Sequence, residues 1–262
     1  MGAFAGVVAT YSTHNLLLGL FASAFGGAAL ASIIATATAC FRADQMVTGL
    51  ASNILSLGLT SFLVRGFFGG QAPVMRLAPL PAISVPILSR IPVLGEVLFQ
   101  QPALTYAAFL LVLPVHFLLV KTQIGLTMRA VGENPAAAFA VGSDPIRVRM
   151  AAIIAGGVLA GLGGAELALQ ELGTFTDGMT NGRGFIALAA IIVGRWQPLK
   201  VMIGCLLFGT ASALALNMQG WGLPVSSYVL QMAPYVIALA VLIGIGRGVK
   251  MPAAIGRSFT RD

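Results

Sequence analysis

The sequence predicts an all-α protein, a polytopic transmembrane helix bundle of about eight membrane segments that carries one short helix outside the bilayer. Of its 262 residues, 58% are hydrophobic and only 9% are charged, with a mean hydropathy of +0.93. Soluble chains carry about 25% charged residues, so a domain of this length would lack the polar surface to cover itself in water. The apolar residues gather into runs near the roughly 20 residues that a helix needs to cross a hydrocarbon core about 30 Å thick. A single polar island, Lys121 to Arg149, separates the fourth run from the fifth.

The runs lie at 1–11, 16–41, 46–64, 103–120, 150–169, 185–194, 201–216 and 228–245. Met1 is followed by Gly-Ala-Phe-Ala-Gly-Val-Val-Ala with no basic region. The first run is therefore not a normal signal peptide; it reads as a helix entered midway, and an N-terminal portion completing it is expected. The second and third runs carry no charge and are divided by Arg42-Ala-Asp44-Gln45. The stretch 65–102 contains Pro73, Pro79, Pro81, Pro86, Pro92 and Pro102, which argues against a long regular helix and for a structured cap. The fourth run holds Pro114 and a lone histidine, His116, a packing or kink partner more than a proton carrier.

In the fifth run, Gly157-Val-Leu-Ala-Gly161 and Ala160-Gly-Leu-Gly-Gly164 set small residues one turn apart. In lipid such faces draw helices together by close backbone approach, since apolar burial gains nothing there. The sixth run, Phe185 to Gly194, is long enough for only half a membrane unless it borrows flanking residues or is a broken helix. Gly178, Gly182, Gly184 and the turn-forming Asn181-Gly182 pair mark an irregular entry to it. Discontinuous helices of this kind often line transport paths.

Taking all eight runs as spans and the C-terminus as cytoplasmic puts Arg42, Lys121, Arg129, Arg147, Arg149, Arg195, Lys200, Arg247, Lys250, Arg257 and Arg261 on one side. Only Arg65, Arg76, Arg90 and Arg183 fall on the other. The richer side is expected to face the cytoplasm, so 121–149 and 246–262 face inward and 65–102 faces outward. The expected location is the inner, plasma membrane. The net charge of +7 sits in short breaks between apolar runs, with no basic stripe on a soluble face, so it points to membrane orientation and not to nucleic acid. Cys40 and Cys205 lie inside apolar runs without CxxC spacing or nearby histidines, so neither a disulfide nor a metal is implied. No cofactor is expected.

The polar island holds two helix starts. Asn134-Pro135 supplies an N-cap side chain and a proline at the first helical position, and Asp144-Pro145 repeats the device. Gly142 stands where the first helix should end. The pattern predicts a helix over Pro135 to Val141 that presents Ala136, Ala137, Ala138 and Ala140. A short rigid helix between spans suits a membrane subunit that receives motion from a soluble motor.

The stretch Thr127-Met-Arg129-Ala-Val-Gly132-Glu133-Asn134-Pro135-Ala-Ala-Ala-Phe-Ala-Val-Gly142 resembles the coupling loop of permease subunits of ATP-binding-cassette importers of the branched-chain amino acid, simple sugar and nucleoside type. The resemblance includes Ala137-Ala138, separated by three residues from Gly142, and extends over essentially the whole chain. Arg42-Ala-Asp44-Gln45 and Gly182-Arg183-Gly184-Phe185-Ile-Ala-Leu-Ala-Ala look like the nucleoside branch. Two departures stand out: Ala136 occupies the place of a usual glutamate, and family members normally begin with a further hydrophobic segment and a Gly-rich stretch. The resemblance implies two permease subunits lining a pathway, the second expected to be a homologous partner. It also implies two cytoplasmic ATP-binding subunits on the coupling loops and an extracytoplasmic substrate-binding lipoprotein. Arg129, Glu133, Asn134, Pro135, Ala137, Ala138 and Gly142 are then the coupling residues, with Glu133 a first-turn or docking charge. A nucleoside is the expected solute ahead of a sugar or an amino acid.

The chain lacks GxxxxGK[ST] and any Gly-Lys dipeptide, so energy must come from a partner. It also lacks HExxH, GxSxG and carboxylates at metal-ligand spacing, which argues against an enzyme. Asn53, Glu166, Asn217 and Gln231 stand out among the polar residues within spans. Each serves either as interhelical hydrogen-bonding glue or as lining of a pathway for a polar, uncharged solute. Glu166, near the outer end of its span, has a third option in reaching water. A stand-alone secondary transporter or channel is the competing class. It would need inverted repeats and its own ion site, and a proton-coupled form would need several intramembrane acids where only Glu166 qualifies.

Overall fold

The computed structural model describes residues 1–69, 82–84, 100–180, 182–220, 227–245, 251–257 and 259. The elements are α1 (Gly2–Thr13), α2 (Leu16–Ala35, continued by a π-helical turn Thr36–Cys40), α3 (Gln45–Phe68), β1 (Ala82–Ser84), β2 (Gln100–Pro102), α4 (Ala103–Lys121), α5 (Gln123–Glu133), α6 (Pro135–Ala140), α7 (Pro145–Ala165, continued by a π-helical segment Glu166–Glu171), α8 (Arg183–Val193), α9 (Pro198–Gly220) and α10 (Ser227–Ile245). Each predicted apolar run is helical. Among the described residues, Leu16–Cys40, Gln45–Phe68, Ala103–Lys121, Pro145–Glu171 and Pro198–Met218 are long and apolar enough to cross a membrane. The protein is thus an all-α, multi-pass membrane protein, while α1 has 12 residues and α8 has 11.

The helix of the third run, α3, extends to Phe68, past the expected end at 64. Its last turn is held by aromatic packing: Phe67 lies 6.3 Å from Phe4 and Phe68 lies 5.3 Å from Tyr11, both edge-on. Gly69 then stops the helix at φ 70°, its N–H donating to the Arg65 carbonyl, a left-handed position that glycine takes without penalty. Farther along, β1 and β2 pair antiparallel with Ile83 opposite Gln101. The stretches 70–81 and 85–99, with Pro73, Pro79, Pro81, Pro86 and Pro92, lie outside the described residues.

The chain divides into two compact units. One comprises Met1–Leu110, Leu126–Met179 and Ala254–Asp262; the other comprises Leu111–Gly125 and Thr180–Ala253. In the first, α1, α2 and α7 pack on one another through small residues. A Cβ built on Gly27 would strike the Gly157 carbonyl oxygen, and one on Gly161 would strike that of Ser23. The predicted Gly157/Gly161 face is therefore a helix contact. A small apolar core of Ala3, Phe4, Val7, Val64, Ala168 and Phe175 lies beside it. Large side chains point outward instead: Phe21 is 73% and Phe25 76% exposed, as expected where lipid is the solvent.

In the second unit, Ala189 and Ala190 of α8, Phe208 of α9 and Ala238 of α10 form the core. The entry to α8 is irregular, as predicted: Gly178, which lies in the first unit, has φ 72°, and Gly182, the N-cap, has φ 79°. Asn181 lies outside the described residues. Pro114 sits within α4, and the nearby His116 Nδ1 is buried without a hydrogen-bond partner among the described residues.

Candidate functional site

The polar island folds as three helices. Its first element, α5, was not anticipated. Thr122 opens it, with its hydroxyl oxygen accepting from the Gly125 N–H at 3.3 Å, an N-cap arrangement. A Cβ at Gly125 would collide with the main chain of Leu118 and Leu119, so glycine is what lets the chain turn back on the end of α4. The sequence signal for this helix was the apolar Ile124, Met128 and Val131 spaced four and three apart; Val131 is buried.

Asn134 is the N-cap of α6, its side chain accepting from the Ala137 N–H at 3.0 Å, and Pro135 occupies the first turn. The helix ends one residue earlier than expected, at Ala140, and Gly142 follows at φ 88°. Two main-chain bonds close its C-terminal end, Gly142 N–H to Phe139 C=O at 2.9 Å and Ser143 N–H to Ala138 C=O at 3.0 Å. Asp144 then caps α7 by accepting from the Ile146 N–H at 3.1 Å.

Of the predicted coupling residues, Ala138 is buried and anchors α6, while Asn134, Ala137 and Gly142 are exposed and Pro135 is half-buried. Arg129 is exposed on α5. Glu133 is exposed and closes α5; the first turn of α6 begins two residues later, so a first-turn charge is not what Glu133 supplies. Val141, just beyond α6, is 81% exposed.

A part that sequence reading missed joins this element from the C-terminus. The Ala254 N–H donates to the Gly132 carbonyl at 3.0 Å. The Arg149 guanidinium donates to the carbonyls of Arg257 at 2.6 Å and Ala254 at 3.4 Å. Phe259 stacks at a tilt on Phe139, ring centres 5.7 Å apart. No local pattern in the sequence announces contacts between residues more than 100 positions apart.

Among the predicted pathway residues, Glu166 has company. It opens the π-helical segment that ends α7, and its Oε1 accepts from the Thr105 hydroxyl at 3.3 Å. Its Oε2 and the Oε1 of Gln170, four residues on, are both buried without a hydrogen-bond partner among the described residues. Gln170 was missed, although its spacing from Glu166 was visible. Asn217 is exposed on α9 and donates to the Ala213 carbonyl of its own helix at 2.9 Å. Asn53 is exposed on α3. Gln231 lies on α10, its side chain outside what is described. The predicted pathway residues thus fall in both units, and among those whose side chains are described Glu166 alone is hydrogen-bonded to another side chain. Among the described residues, no group of three or more His, Cys, Asp or Glu is arranged to hold a metal.

A family described as branched-chain amino acid transport system / permease component matches residues 1–245. The nucleoside ABC transporter permease protein NupC of Lactococcus lactis subsp. cremoris (strain MG1363) is 36% identical over 274 residues, covering 100% of this chain and 85% of NupC. The guanosine ABC transporter permease protein NupQ of Bacillus subtilis (strain 168) is 37% identical, covering 88% of this chain and 73% of NupQ. The putative glucose ABC transporter permease protein TsgC13 of Haloferax volcanii is 35% identical, covering 85% and 68%. No solved structure matches the chain. A multi-pass helical chain matched to this family over nearly its full length belongs to the branched-chain amino acid transport system permease components, which are membrane transport subunits and not enzymes.

Proposed function

We propose that this protein is the permease subunit of an ATP-driven importer, that its solute is a nucleoside, and that α6 is the coupling helix on which a cytoplasmic ATP-binding subunit docks. The observation that carries the reading is the Asn134-capped helix between two long apolar spans, with its ends fixed and Val141 exposed beside it. A capped helix on short connections moves as a unit, so displacement of α6 is passed to α5 and α7 and reorients the spans between outward-open and inward-open states.

The topology in this reading has eight spans, the loop 121–149 and the C-terminus in the cytoplasm, and 65–102 outside. Its support is the excess of Lys and Arg on one side and the helical state of every apolar run. The second permease subunit is a homologue and not a second copy; Lactococcus lactis has, besides NupC, a second nucleoside ABC transporter permease protein, NupB. An extracytoplasmic lipoprotein delivers the solute.

Nucleoside is favoured over sugar because NupC and NupQ are named for nucleoside and guanosine transport. Chemistry agrees: the buried acceptors Glu166 Oε2 and Gln170 Oε1 suit the N–H donors of a nucleobase or the hydroxyls of ribose. Asn53, Asn217 and Gln231 are further pathway candidates on other helices.

Co-expression with an ATP-binding subunit, a second permease and a substrate-binding lipoprotein from the same organism, followed by uptake into proteoliposomes, tests this. ATP-dependent uptake of guanosine in preference to glucose is expected. Uptake driven by an ion gradient without the ATPase would instead identify a secondary transporter, and glucose uptake without guanosine uptake would overturn the substrate.

A further inference from the structure

Resting on the reading of α6 as the coupling helix, we propose that the C-terminal tail Ala254–Phe259 is a working part of the coupling element and that Arg149 is the positioning residue that holds it there. An isolated six-residue helix is far below the length at which helices are stable in water, so α6 transmits a push only as rigidly as its surroundings hold it. Its two chain connections fix its ends. The tail reaches three further points: Gly132 just before α6, Phe139 within it, and Arg149 at the start of α7. These contacts close a frame around α6, in which a displacement of the helix is carried to both flanking helices together.

Arg149 suits this role by chemistry. It is half-buried, and its planar guanidinium spans two tail carbonyls at once, Nη1 on Arg257 and Nη2 on Ala254, a fork that lysine cannot reproduce. The tail is shaped to receive it. Gly256 lies between the two carbonyls at φ 73°, and the Arg257 N–H donates back to the Ala254 carbonyl at 3.3 Å, making a turn that directs both acceptors to one donor group.

The full transporter, with both permeases and the ATPase subunits in proteoliposomes, tests the brace through solute transported per ATP hydrolysed. Arg149→Ala and a chain ending at Ala253 are each expected to lower that ratio roughly tenfold, with the ATPase subunits still bound; Arg149→Lys falls between. The informative variant combines the two changes. If Arg149 acts through the tail, removing it from the truncated chain lowers the ratio no further; an additional fall would show that it acts elsewhere and overturn the proposal. A wild-type ratio in Arg149→Ala also overturns it. Should truncation prevent assembly, Gly256→Val, which unsettles the left-handed turn that presents both carbonyls to Arg149, replaces it in the same comparison. Gly142→Trp separates this proposal from the reading beneath it: if that variant leaves both transport and ATPase stimulation intact, α6 is not the coupling helix, whatever the tail does.

Discussion

Gly27 and Gly157 meet backbone to backbone: a Cβ on the first would collide with the carbonyl oxygen of the second, and one on Gly157 would meet the Ala31 methyl. This contact between α2 and α7 is one of the close backbone approaches of the first unit, and in lipid such close approach is what holds helices together. Gly157→Val is therefore expected to destabilise the protein by about 1–3 kcal/mol through overpacking, seen as a lower melting temperature in detergent. Gly163 lies on the same helix with open space at its Cβ position, and Gly163→Val is the control expected to melt near wild type. Equal melting shifts for the two variants would contradict the packing argument.

The same contact marks how far the sequence could be read. Small residues spaced by four announced the Gly157/Gly161 face, yet nothing in that pattern named Gly27 and Ser23 as its partners, because pairing between distant helices leaves no local period. Local rules worked wherever a local force decides. Caps at Asn134 and Asp144 and the stop at Gly142 are fixed by hydrogen bonds and φ angles within a few residues. They failed at Phe67 and Phe68, where contacts with Phe4 and Tyr11 carry α3 past Arg65. They also failed at the tail, whose grip on Arg149 depends on tertiary placement alone.

The cap at Asn134 bears on a helix of only six residues, so its loss should be felt in function. Replacing an N-cap Asn by Ala costs about 0.5–2 kcal/mol, a large fraction of what can hold so short a helix. Asn134→Ala is expected to lower uptake per ATP several-fold, whereas Asn134→Asp, which keeps the acceptor, stays near wild type. Asp144→Ala removes an equivalent bond from the 21-residue α7, where the rest of the helix and its packing absorb the loss. Comparing ATP hydrolysis with uptake in the three variants checks the order. An effect of Asp144→Ala equal to that of Asn134→Ala would show that helix length is not what matters.

Gly142 separates backbone strain from crowding. Its φ of 88° lies where side chains are disfavoured, yet among the described residues no heavy atom stands within 4 Å of a Cβ built there. Gly142→Ala therefore costs only the backbone term, roughly 1–2 kcal/mol, and Gly142→Asn less, since Asn tolerates left-handed conformations. Coupling efficiency is expected in the order Gly, Asn, Ala. An Ala variant that outperforms Asn would mean that contact with the docked subunit, and not the turn, governs this position.

Glu166 and Gln170 present two unsatisfied acceptors one π-helical turn apart, with Thr105 steadying the carboxylate from α4. Buried acceptors without partners are costly; in the pathway role proposed above, the passing solute supplies the missing donors. Gln170→Leu and Glu166→Leu are then expected to raise the apparent KM for guanosine uptake about fivefold each, the effect of losing roughly 1 kcal/mol of hydrogen bonding. ATPase stimulation should be unchanged, because neither residue belongs to the coupling element. Thr105→Val removes the donor to Oε1 and should have a smaller effect in the same direction. Unchanged uptake kinetics in both Leu variants, with the protein intact, would return Glu166 and Gln170 to a purely structural role in the end of α7.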